Sequence, residues 1–376
     1  MKNRIYLSPP HMCGMELVFV KEAFDSNWIA PLGAYVNNFE KDICEYTGVK
    51  NALALSSGTS GIHLALKYLG VEQDDFVFCS SLTFSGSCNP IMYEKAIPVF
   101  IDAEPETWNM SPIALEKAFD WAKKNGRMPK AVIVVNLYGQ SADWDKIIPI
   151  CEKYKVPIIE DAAESLGSSY NGRQTGGFGY FGIFSFNGNK IITTSGGGMV
   201  VSDDEAAIGK LRFWATQSRE PARHYEHKEI GYNYRMSNIC AAIGCGQMKA
   251  LDERIEAKKK VYIKYKKGLG NLPVRFLPVS HKCSPNYWLT VISIDPESPV
   301  SPNDIITSLE NENIESRPLW KPMHLQPVFQ GFPYFKHNDS ISTSDDLFMR
   351  GVCLPSGTAM TESEQERVIS TVRSNW

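Results

Sequence analysis

The chain reads VPIIEDAAESLG at residues 156–167 and YFGIFSFNGNKIITTSGGGMV at residues 180–200. Each stretch opens with an apolar run, at 156–159 and 180–184, and then turns abruptly polar. An unbroken apolar run of this length is typical of a strand buried on both faces, as in a largely parallel sheet covered by helices. We therefore predict two neighbouring parts of such a sheet, each followed by polar residues at its carboxyl end.

Further short runs of strand length extend this pattern, at residues 52–55, 75–79, 98–101, 131–135 and 198–201. Residues 62–70 place apolar side chains at helical spacing and end in a glycine, which is typical of a helix C-terminus. The alternation of strands and helices from about residue 50 to 205 predicts an α/β domain with a mostly parallel sheet.

The chain changes character after about residue 237. Residues 237–270 read as a helix, and its charged run at 252–267 predicts a face in contact with water. Lys258 belongs to this run, and a solvated face is preferred to a nucleic-acid patch because no aromatic residues are interleaved with the lysines. Residues 270–376 mix short strands with helices and Pro-rich loops, which predicts a smaller α+β domain.

Length and composition bound the class of protein. At roughly 100–200 residues per domain, 376 residues predict two domains, a large one at 1–250 and a small one at 251–376. A hydrophobic content of 43% and a charged content of 22% are ordinary globular values and exclude a disordered chain or a rod. The net charge of -3 excludes a basic footprint over the whole surface, so no nucleic-acid partner is expected, but it allows a local basic pocket for a phosphate-bearing small molecule.

The cysteines and the N-terminus point to the cytoplasm. Nine cysteines are scattered without CxxC spacing, so neither a disulfide framework nor a zinc site is expected. The first residues show no secretory signal, and no stretch approaches 18 consecutive apolar residues, so no membrane association is expected. His224 and His227 could suggest a metal pair, but an exposed loop or subunit contact is the preferred interpretation, and no metal site is predicted.

Ligands of an open α/β sheet bind outside the carboxyl ends of its strands, so the residues that follow each strand are candidates for chemistry. Residues 56–61, SSGTSG, join the run at 52–55 to a helix start. Such a turn offers backbone N–H groups, hydroxyls and the positive end of a helix, which together suit a phosphate. The alternative interpretation is an ordinary helix N-cap, since serine and threonine favour that position.

Two further strand ends carry charge. Glu160 and Asp161 end the first run, and acids at a buried strand end are costly unless a cation meets them, although Asp161 could equally cap a following helix. Lys190 lies between an apolar strand and a Gly-rich turn, where desolvation lowers a lysine pKa and yields a nucleophilic amine. Asp161 precedes Lys190 by 29 residues, the length of one strand–helix–strand excursion, so one sheet could present both.

These parts fit pyridoxal phosphate. This cofactor needs a lysine for its Schiff base, an acid facing its pyridine nitrogen and a cup for its phosphate. An aromatic side chain that stacks on the ring is also expected, and Phe84 follows the strand predicted at 75–79.

The chain resembles the fold-type I sugar aminotransferases of the DegT/DnrJ/EryC1/StrS family over nearly its whole length. The residues that carry the resemblance are SGTSG at 57–61, EDAAESLG at 160–167, SFNGNK at 185–190, GGG at 196–198 and GYNYRMSNICAAIG at 231–244. Other stretches resemble the UDP-4-keto-6-deoxy-N-acetylglucosamine 4-aminotransferases of bacillosamine-type pathways: LSPPHM at 7–12, NWIAPLG at 27–33, SFNGNKIITTSGGGM at 185–199, RPLWKPMH at 317–324 and CLPSGTAM at 353–360.

The resemblance implies a role for each matching position. Lys190 would form the Schiff base and move the proton, Asp161 would keep the pyridine nitrogen protonated, and Glu164 would lie near the ring hydroxyl. The remaining positions would bind the cofactor or the sugar nucleotide: Gly58, Thr59 and Ser185 on the phosphate, Phe84 on the ring, Asn233 on the phosphate of the neighbouring subunit, and Arg317 and His324 on the substrate.

The expected function is therefore a cytoplasmic, homodimeric transaminase with shared active sites. It would move the amino group of glutamate to C4 of a UDP-linked 4-keto-6-deoxy-N-acetyl sugar for bacterial glycan biosynthesis. A GDP- or dTDP-linked ketosugar is the alternative substrate. A sugar dehydratase of the same fold would carry histidine in place of Lys190, and a ligand sensor without turnover would usually have lost Lys190 or Asp161.

Overall fold

The computed structural model describes residues 3–376, which form helices packed around three β-sheets. The strands are β1 (Asn51–Leu55), β2 (Phe76–Ser80), β3 (Ile97–Ile101), β4 (Ala131–Val135), β5 (Ile158–Asp161), β6 (Ser169–Tyr170), β7 (Arg173–Gln174), β8 (Phe181–Ser185), β9 (Gly198–Ser202), β10 (Val274–Phe276), β11 (Cys283–Ser284), β12 (Thr290–Ile294), β13 (Arg317–Pro318), β14 (Tyr334–Phe335) and β15 (Gly351–Leu354). The helices are α1 (Met15–Asp25), α2 (Ala34–Thr47), α3 (Gly58–Tyr68), α4 (Asn89–Tyr93), α5 (Pro112–Lys124), α6 (Trp144–Tyr154), α7 (Glu205–Ala215), α8 (Asn238–Met248), α9 (Leu251–Leu269), α10 (Pro302–Asn311), α11 (Thr343–Arg350) and α12 (Glu362–Arg373).

The central sheet has eight strands in the order β1-β9-β8-β5-β4-β2-β3-β14. All neighbours pair in parallel except β9, which runs antiparallel to both β1 and β8. The predicted fold class, a fold-type I α/β architecture with a mostly parallel sheet, is confirmed.

The strands of the central sheet are mostly apolar between their ends because helices cover both faces of the sheet. In β4, Ile133 packs into the core on the side of α3 and α7, whereas Val132 and Val134 pack on the side of α5 and α6. Successive side chains of a strand point to opposite faces, so a strand that is buried on both sides needs an apolar residue at each position.

A second sheet is formed by residues nearer the C-terminus. It is antiparallel in the order β10-β12-β15-β13, and its core includes side chains of α9, α10 and α12. The helix predicted at 237–270 is two helices, α8 and α9, that are separated at residues 249–250. Two short strands of the C-terminal part pair elsewhere, β14 with β3 and β11 with β6, and the predicted domain boundary at residue 250 stays a prediction.

The connection between β5 and β8 contains no helix, so the predicted strand–helix–strand excursion is wrong. Tight turns and the β6–β7 hairpin occupy this segment instead. One physical cause is Glu160, whose buried carboxylate accepts hydrogen bonds from the backbone N–H groups of Gly176 and Phe178, each at 2.7 Å. These bonds hold residues 176–178 against the end of β5. The sequence around Glu160 does not indicate this role.

Candidate active site

The carboxyl ends of β1, β2, β4, β5 and β8 meet at one edge of the central sheet because these strands run in the same direction. Gly198, the first residue of β9, pairs there with both Leu55 and Ser185. A Cβ atom at Gly198 would lie 2.2 Å from the backbone nitrogen of Gly58, so only glycine lets β9 pass directly beneath the start of α3.

A cavity of about 330 Å³ lies at this edge. Its walls combine the turn before α3, the loop after β2, the ends of β5 and β8, the loop that carries Lys190, and two tryptophans from the C-terminal part of the chain. The sequence-predicted residues that line it are Gly58, Thr59, Phe84, Asp161, Glu164, Ser185 and Lys190.

Among residues 3–376, Lys190 is the one lysine in the cavity wall. Its Nζ lies 3.8 Å from Oε1 of Glu164 and 4.2 Å from the ring centroid of Trp288. Burial lowers the pKa of Lys190, while the charges of Glu164 and Asp161 act in the opposite direction. The amine of Lys190 is therefore more readily neutral, and so more nucleophilic, than that of a lysine in water.

Asp161 is buried at the end of β5, in the wall of the same cavity. Its Oδ2 accepts a hydrogen bond of 2.6 Å from the Ser87 hydroxyl, and its Oδ1 accepts one of 3.1 Å from the backbone N–H of Ala163. Burial raises the pKa of Asp161, although the bond from Ser87 opposes the rise. Within residues 3–376 it has no ion-pair partner, and no helix follows it, so the helix-cap interpretation is wrong.

The acids at and after the end of β5 have different surroundings. Glu160 points away from the cavity, where Asn136 and two backbone N–H groups satisfy it without a cation. Glu164 lies in the cavity wall, and its Oε2 accepts a bond of 2.6 Å from the backbone N–H of Tyr138. Burial raises the pKa of Glu164, and the nearby charge of Lys190 works against this rise.

The turn before α3 both caps the helix and offers an anion site. The Ser57 hydroxyl accepts the backbone N–H of Ser60 at 3.1 Å, which is the N-cap that the sequence left as an alternative. The backbone N–H groups of Gly58 and Thr59 belong to the first turn of α3, where a helix leaves its donors free. The hydroxyls of Thr59 and Ser185 make no hydrogen bond within the described part of the chain, so they too are available to a phosphate.

Aromatic side chains form the rest of the wall. Phe84 is 56% exposed, and its ring centroid lies 5.5 Å from that of Trp320. Trp288, Trp320 and Ser87 also line the cavity, and the sequence interpretation assigned none of them a role. Ser87 follows β2 and could have been found by its place after a strand, whereas Trp288 carries no local signal.

A second cavity, of about 750 Å³, adjoins the first and shares Asn189 and Trp320 with it. Arg317 lines this second cavity, where its guanidinium is 2.9 Å from Oε1 of Glu315. Lys321 also lines it, is exposed, and has no ion pair among residues 3–376. Two cations therefore border a space that adjoins the Lys190 cavity.

The structure does not bring His324 or Asn233 to either cavity. Both ring nitrogens of His324 are occupied, Nδ1 by the Ser81 hydroxyl at 2.7 Å and Nε2 by Asp345 at 2.9 Å, so the ring ties its loop to the end of β2. The expectation that His324 faces the substrate therefore has no support from the geometry. Asn233 is exposed and forms an isolated bridge with Thr216, which leaves its side chain on the surface.

Residues 13–373 match the sequence model of the DegT/DnrJ/EryC1/StrS aminotransferase family. The chain belongs to this family. EpsN of Bacillus subtilis (strain 168) is 59% identical over 99% of this chain and 96% of its own length. GDP-perosamine synthase of Vibrio cholerae is 34% identical over 97% of each chain.

Solved structures agree with this assignment. A DegT/DnrJ/EryC1/StrS aminotransferase from Brucella abortus is 27% identical and superposes with a TM-score of 0.89, covering 96% of this chain and 95% of the other. Aminotransferases of this family act on sugars and use pyridoxal phosphate, so the predicted reaction class and cofactor are confirmed. The narrower resemblance to the UDP-4-ketosugar enzymes is not confirmed, since a GDP-perosamine synthase is among the relatives.

The residues of this aminotransferase fit the cofactor. Among residues 3–376 the buried Asp161 has no ion-pair partner, which suits a protonated pyridine nitrogen. The hydroxyls of Thr59 and Ser185 and the N–H groups of Gly58 and Thr59 suit a phosphate. Among residues 3–376 no group of three or more His, Cys, Asp and Glu side chains is placed to hold a metal ion. No helix in the same range is both long and apolar enough to cross a bilayer.

Proposed function

We propose that this aminotransferase moves the amino group of glutamate to C4 of a UDP-linked 4-keto-6-deoxy-N-acetyl sugar. The observation that supports the proposal is which residues line the second cavity. Residues 6–10 and 317–321 form much of them, and these overlap two of the stretches, at 7–12 and 317–324, that resemble the UDP-4-ketosugar enzymes. The part of the sequence that carries the resemblance thus surrounds the space that a nucleotide would need.

The charges of the second cavity suit a nucleoside diphosphate. Arg317 offers a planar fork of N–H donors, and Lys321 offers a compact positive charge, and both kinds of group bind phosphate oxygens. With the diphosphate held there, the sugar would extend past Asn189 and Trp320 towards Lys190.

The residues of the first cavity, which contains Lys190, would each have a separate role in the reaction. Bound pyridoxal phosphate supplies an aldehyde that takes up amines and a ring that withdraws electrons. Gly58, Thr59 and Ser185 would hold the phosphate, and Phe84 would cover one face of the ring. Asp161 would hold the proton on the pyridine nitrogen, because a buried carboxylate and a pyridinium stabilise each other's charge.

Lys190 would be the group that moves a proton during amination. Its Nζ, readily neutral because it is buried, can accept a proton and return it on the side of the cavity that faces the substrate. Glu164, 3.8 Å away, can accept a hydrogen bond from the lysine or from the cofactor's hydroxyl. We assign His324 no part in these steps.

The active enzyme would be a homodimer with shared sites in the cytoplasm. Apolar side chains near the N-terminus are exposed in the single chain, including Leu17 at 77%, Phe24 at 58% and Trp28 at 56%, a pattern typical of a subunit interface. The family resemblance implies that Asn233 reaches the cofactor phosphate of the partner, and its exposed position outside its own chain's cavity is compatible with that role. The division into domains at 1–250 and 251–376 is part of the same proposal.

A GDP-linked ketosugar is the second candidate, and one observation favours it. GDP-perosamine synthases from three bacteria are 34–36% identical to this chain over at least 94% of its length. A dTDP-linked sugar has no comparable support. A sensor without turnover is disfavoured because both Lys190 and Asp161 are present and lie in one cavity.

The test is a substrate panel. Purified enzyme with pyridoxal phosphate and glutamate is incubated with UDP-, GDP- and dTDP-linked 4-keto-6-deoxy sugars, and products are identified by mass and NMR. We expect an axial or equatorial 4-amino product from the UDP-N-acetyl sugar at a kcat/KM at least about 100-fold above the others, as about 2.7 kcal/mol of discrimination provides. Higher turnover of the GDP sugar would replace the first candidate with the second.

A pair of arginine variants tests whether the diphosphate of the sugar nucleotide binds in the second cavity. Arg317→Gln should raise KM for the sugar nucleotide about 10-fold or more while leaving KM for glutamate within about 2-fold, because one charge-assisted phosphate contact is lost. The control is Arg275→Gln, which lies outside both cavities. An unchanged KM for the sugar nucleotide in Arg317→Gln would place the diphosphate elsewhere.

A further inference from the structure

Lys258 departs from the sequence expectation for its helix. The charged run on α9 predicts a face in water, and Lys259 and Lys260 are exposed as expected. Lys258 is only 3% exposed and points into the protein between α9 and the cavity wall. A lysine is almost never buried without an acid to pair with it, so this burial requires an explanation.

The Nζ of Lys258 makes two hydrogen bonds, neither of them to an acid. It donates to the backbone carbonyl of Trp288 at 2.9 Å and to the hydroxyl oxygen of Ser8 at 3.0 Å. No carboxylate pairs with it among residues 3–376. A neutral amine has two N–H donors, which the two acceptors use fully, whereas a third proton would have no acceptor. Burial lowers the pKa of Lys258 to about 7, which agrees with this count.

The two acceptors converge on the residue that precedes Lys190. The Ser8 hydroxyl donates to the carbonyl oxygen of Asn189 at 3.0 Å. The indole N–H of Trp288 donates to the same oxygen at 2.6 Å. Lys258, Ser8, Trp288 and Asn189 thus form a closed ring of hydrogen bonds that includes the backbone next to the reactive lysine.

This ring fixes two elements of the cavity at once. One is the indole of Trp288, whose centroid lies 4.2 Å from the Nζ of Lys190. The other is the peptide that leads into Lys190 itself. Ser8 and Asn189 also line the second cavity, so the ring lies at the junction of the two spaces.

We propose that Lys258 is a positioning residue for the transamination reaction, holding Trp288 and Asn189 so that the amine of Lys190 stays shielded and correctly placed. The proposal rests on the role proposed for Lys190. Lys258 touches neither cavity and takes no part in proton transfer. Its buried amine serves as a common donor that holds the Ser8 hydroxyl and the Trp288 carbonyl, from two different segments of the chain, in fixed positions.

The test compares Lys258→Met with Lys260→Met, an exposed position two residues further along the same helix. Methionine keeps the length and apolar stem of lysine but removes both donors. We expect kcat to fall about 10-fold or more in Lys258→Met, with KM for glutamate within about 2-fold, because displacement of a reacting group slows the reaction more than it weakens binding. Lys260→Met should behave as wild type.

A second readout uses the apoprotein and needs no turnover. Competitive acetylation followed by mass spectrometry reports the pKa of Lys190. If Trp288 is released and water enters, the pKa of Lys190 should rise by about half a unit or more in Lys258→Met, since desolvation is the main cause of its lowering. This measurement also separates the proposal from the proposed function, because it is informative with any substrate or none.

Ser8→Ala supplies an independent variant with little risk to folding. It breaks one side of the ring, so its effects on kcat and on the pKa of Lys190 should have the same direction and be smaller. The double variant Ser8→Ala/Lys258→Met should lose less than the product of the two single losses, since both act through Asn189. Unchanged kcat and unchanged Lys190 pKa in both single variants would overturn the proposal and leave Lys258 as a core residue only.

Discussion

Replacing Lys258 with methionine should change the stability of the folded protein by an amount that depends on pH, and the variant should lose stability relative to wild type as the pH rises above 7. A lysine in water has a pKa of 10.5, whereas burial lowers the pKa of Lys258 to about 7 in the folded chain. Between these two values the unfolded chain binds a proton at this position and the folded chain does not. The wild-type protein therefore gains stability as the pH rises from 7 to 10.5, and it bears the full cost of the buried amine below pH 7.

The magnitude follows from the two pKa values. They differ by about 3.5 pH units, and each unit corresponds to about 1.36 kcal/mol, so the cost at pH 7 and below is about 5 kcal/mol. Methionine removes this cost but leaves the Ser8 hydroxyl and the Trp288 carbonyl without a donor, at about 1–3 kcal/mol each. Only the first contribution changes with pH. The stability of Lys258→Met relative to wild type should thus fall by about 1.4 kcal/mol per pH unit between pH 7 and 10.5, whatever its sign at pH 7.

Urea denaturation of the apoprotein at pH 7, 8, 9 and 10 measures this difference, at one fixed protein concentration for all variants. Titrations other than those of Lys258 and Lys190 are common to both proteins and cancel, and a rise of about half a unit in the pKa of Lys190 adds only about 0.7 kcal/mol. Lys260→Met is the control and should differ from wild type by the same small amount at every pH. A difference for Lys258→Met that does not change with pH would show that the buried amine is charged in the folded protein, against the reasoning above.

The remaining predictions concern the cofactor site. Lys190→Ala should abolish turnover and the visible absorbance of the lysine-bound cofactor, and near wild-type turnover would remove its assignment. Asp161→Asn preserves shape and hydrogen bonding but not charge, so a large loss of kcat with an unchanged melting temperature is expected, and a silent change would refute the pyridine-nitrogen role. Asn233→Ala should weaken cofactor affinity about 10- to 100-fold, because a hydrogen bond to the charged phosphate is lost. A mixed dimer of Asn233→Ala with Lys190→Ala should regain one working site, because one of its two shared sites then carries neither substitution. Gly198→Ala should weaken cofactor binding measured by dialysis about 10-fold or more, because its Cβ would lie 2.2 Å from the nitrogen of Gly58, whereas the control Gly209→Ala meets nothing within 4 Å.

Several parts of the fold could be predicted because their signals are local. The runs at 131–135 and 198–201 are strands because an apolar residue at every position suits burial on both faces of a sheet. Ser57 caps α3, and Gly70 follows its end with a positive φ of 69°, because these residue types satisfy helix ends on their own. The candidates Asp161, at the end of β5, and Lys190, after β8, follow from the same local reasoning.

Other features depend on contacts between distant parts of the chain. The segment after Asp161 is predicted to be helical from the sequence. In the structure, Glu160 accepts a hydrogen bond from the backbone N–H of Gly176, 16 residues later, and the segment forms turns and a hairpin instead. His324 looks available for substrate, yet Ser81, 243 residues away in sequence, occupies one of its nitrogens. No periodicity within either segment encodes these partners.

Sequence alone therefore determined the α/β class and the cofactor, and it predicted the pair Lys190 and Asp161, because each rests on residue types and their immediate neighbours. Tertiary structure alone decided that Trp288 covers Lys190 and that Lys258 is buried behind it rather than exposed on its helix. The physical reason is that burial and hydrogen bonding of a side chain are set by whichever segments pack against it. For Lys258 those segments begin at Ser8 and end at Trp288, 280 residues apart in the chain.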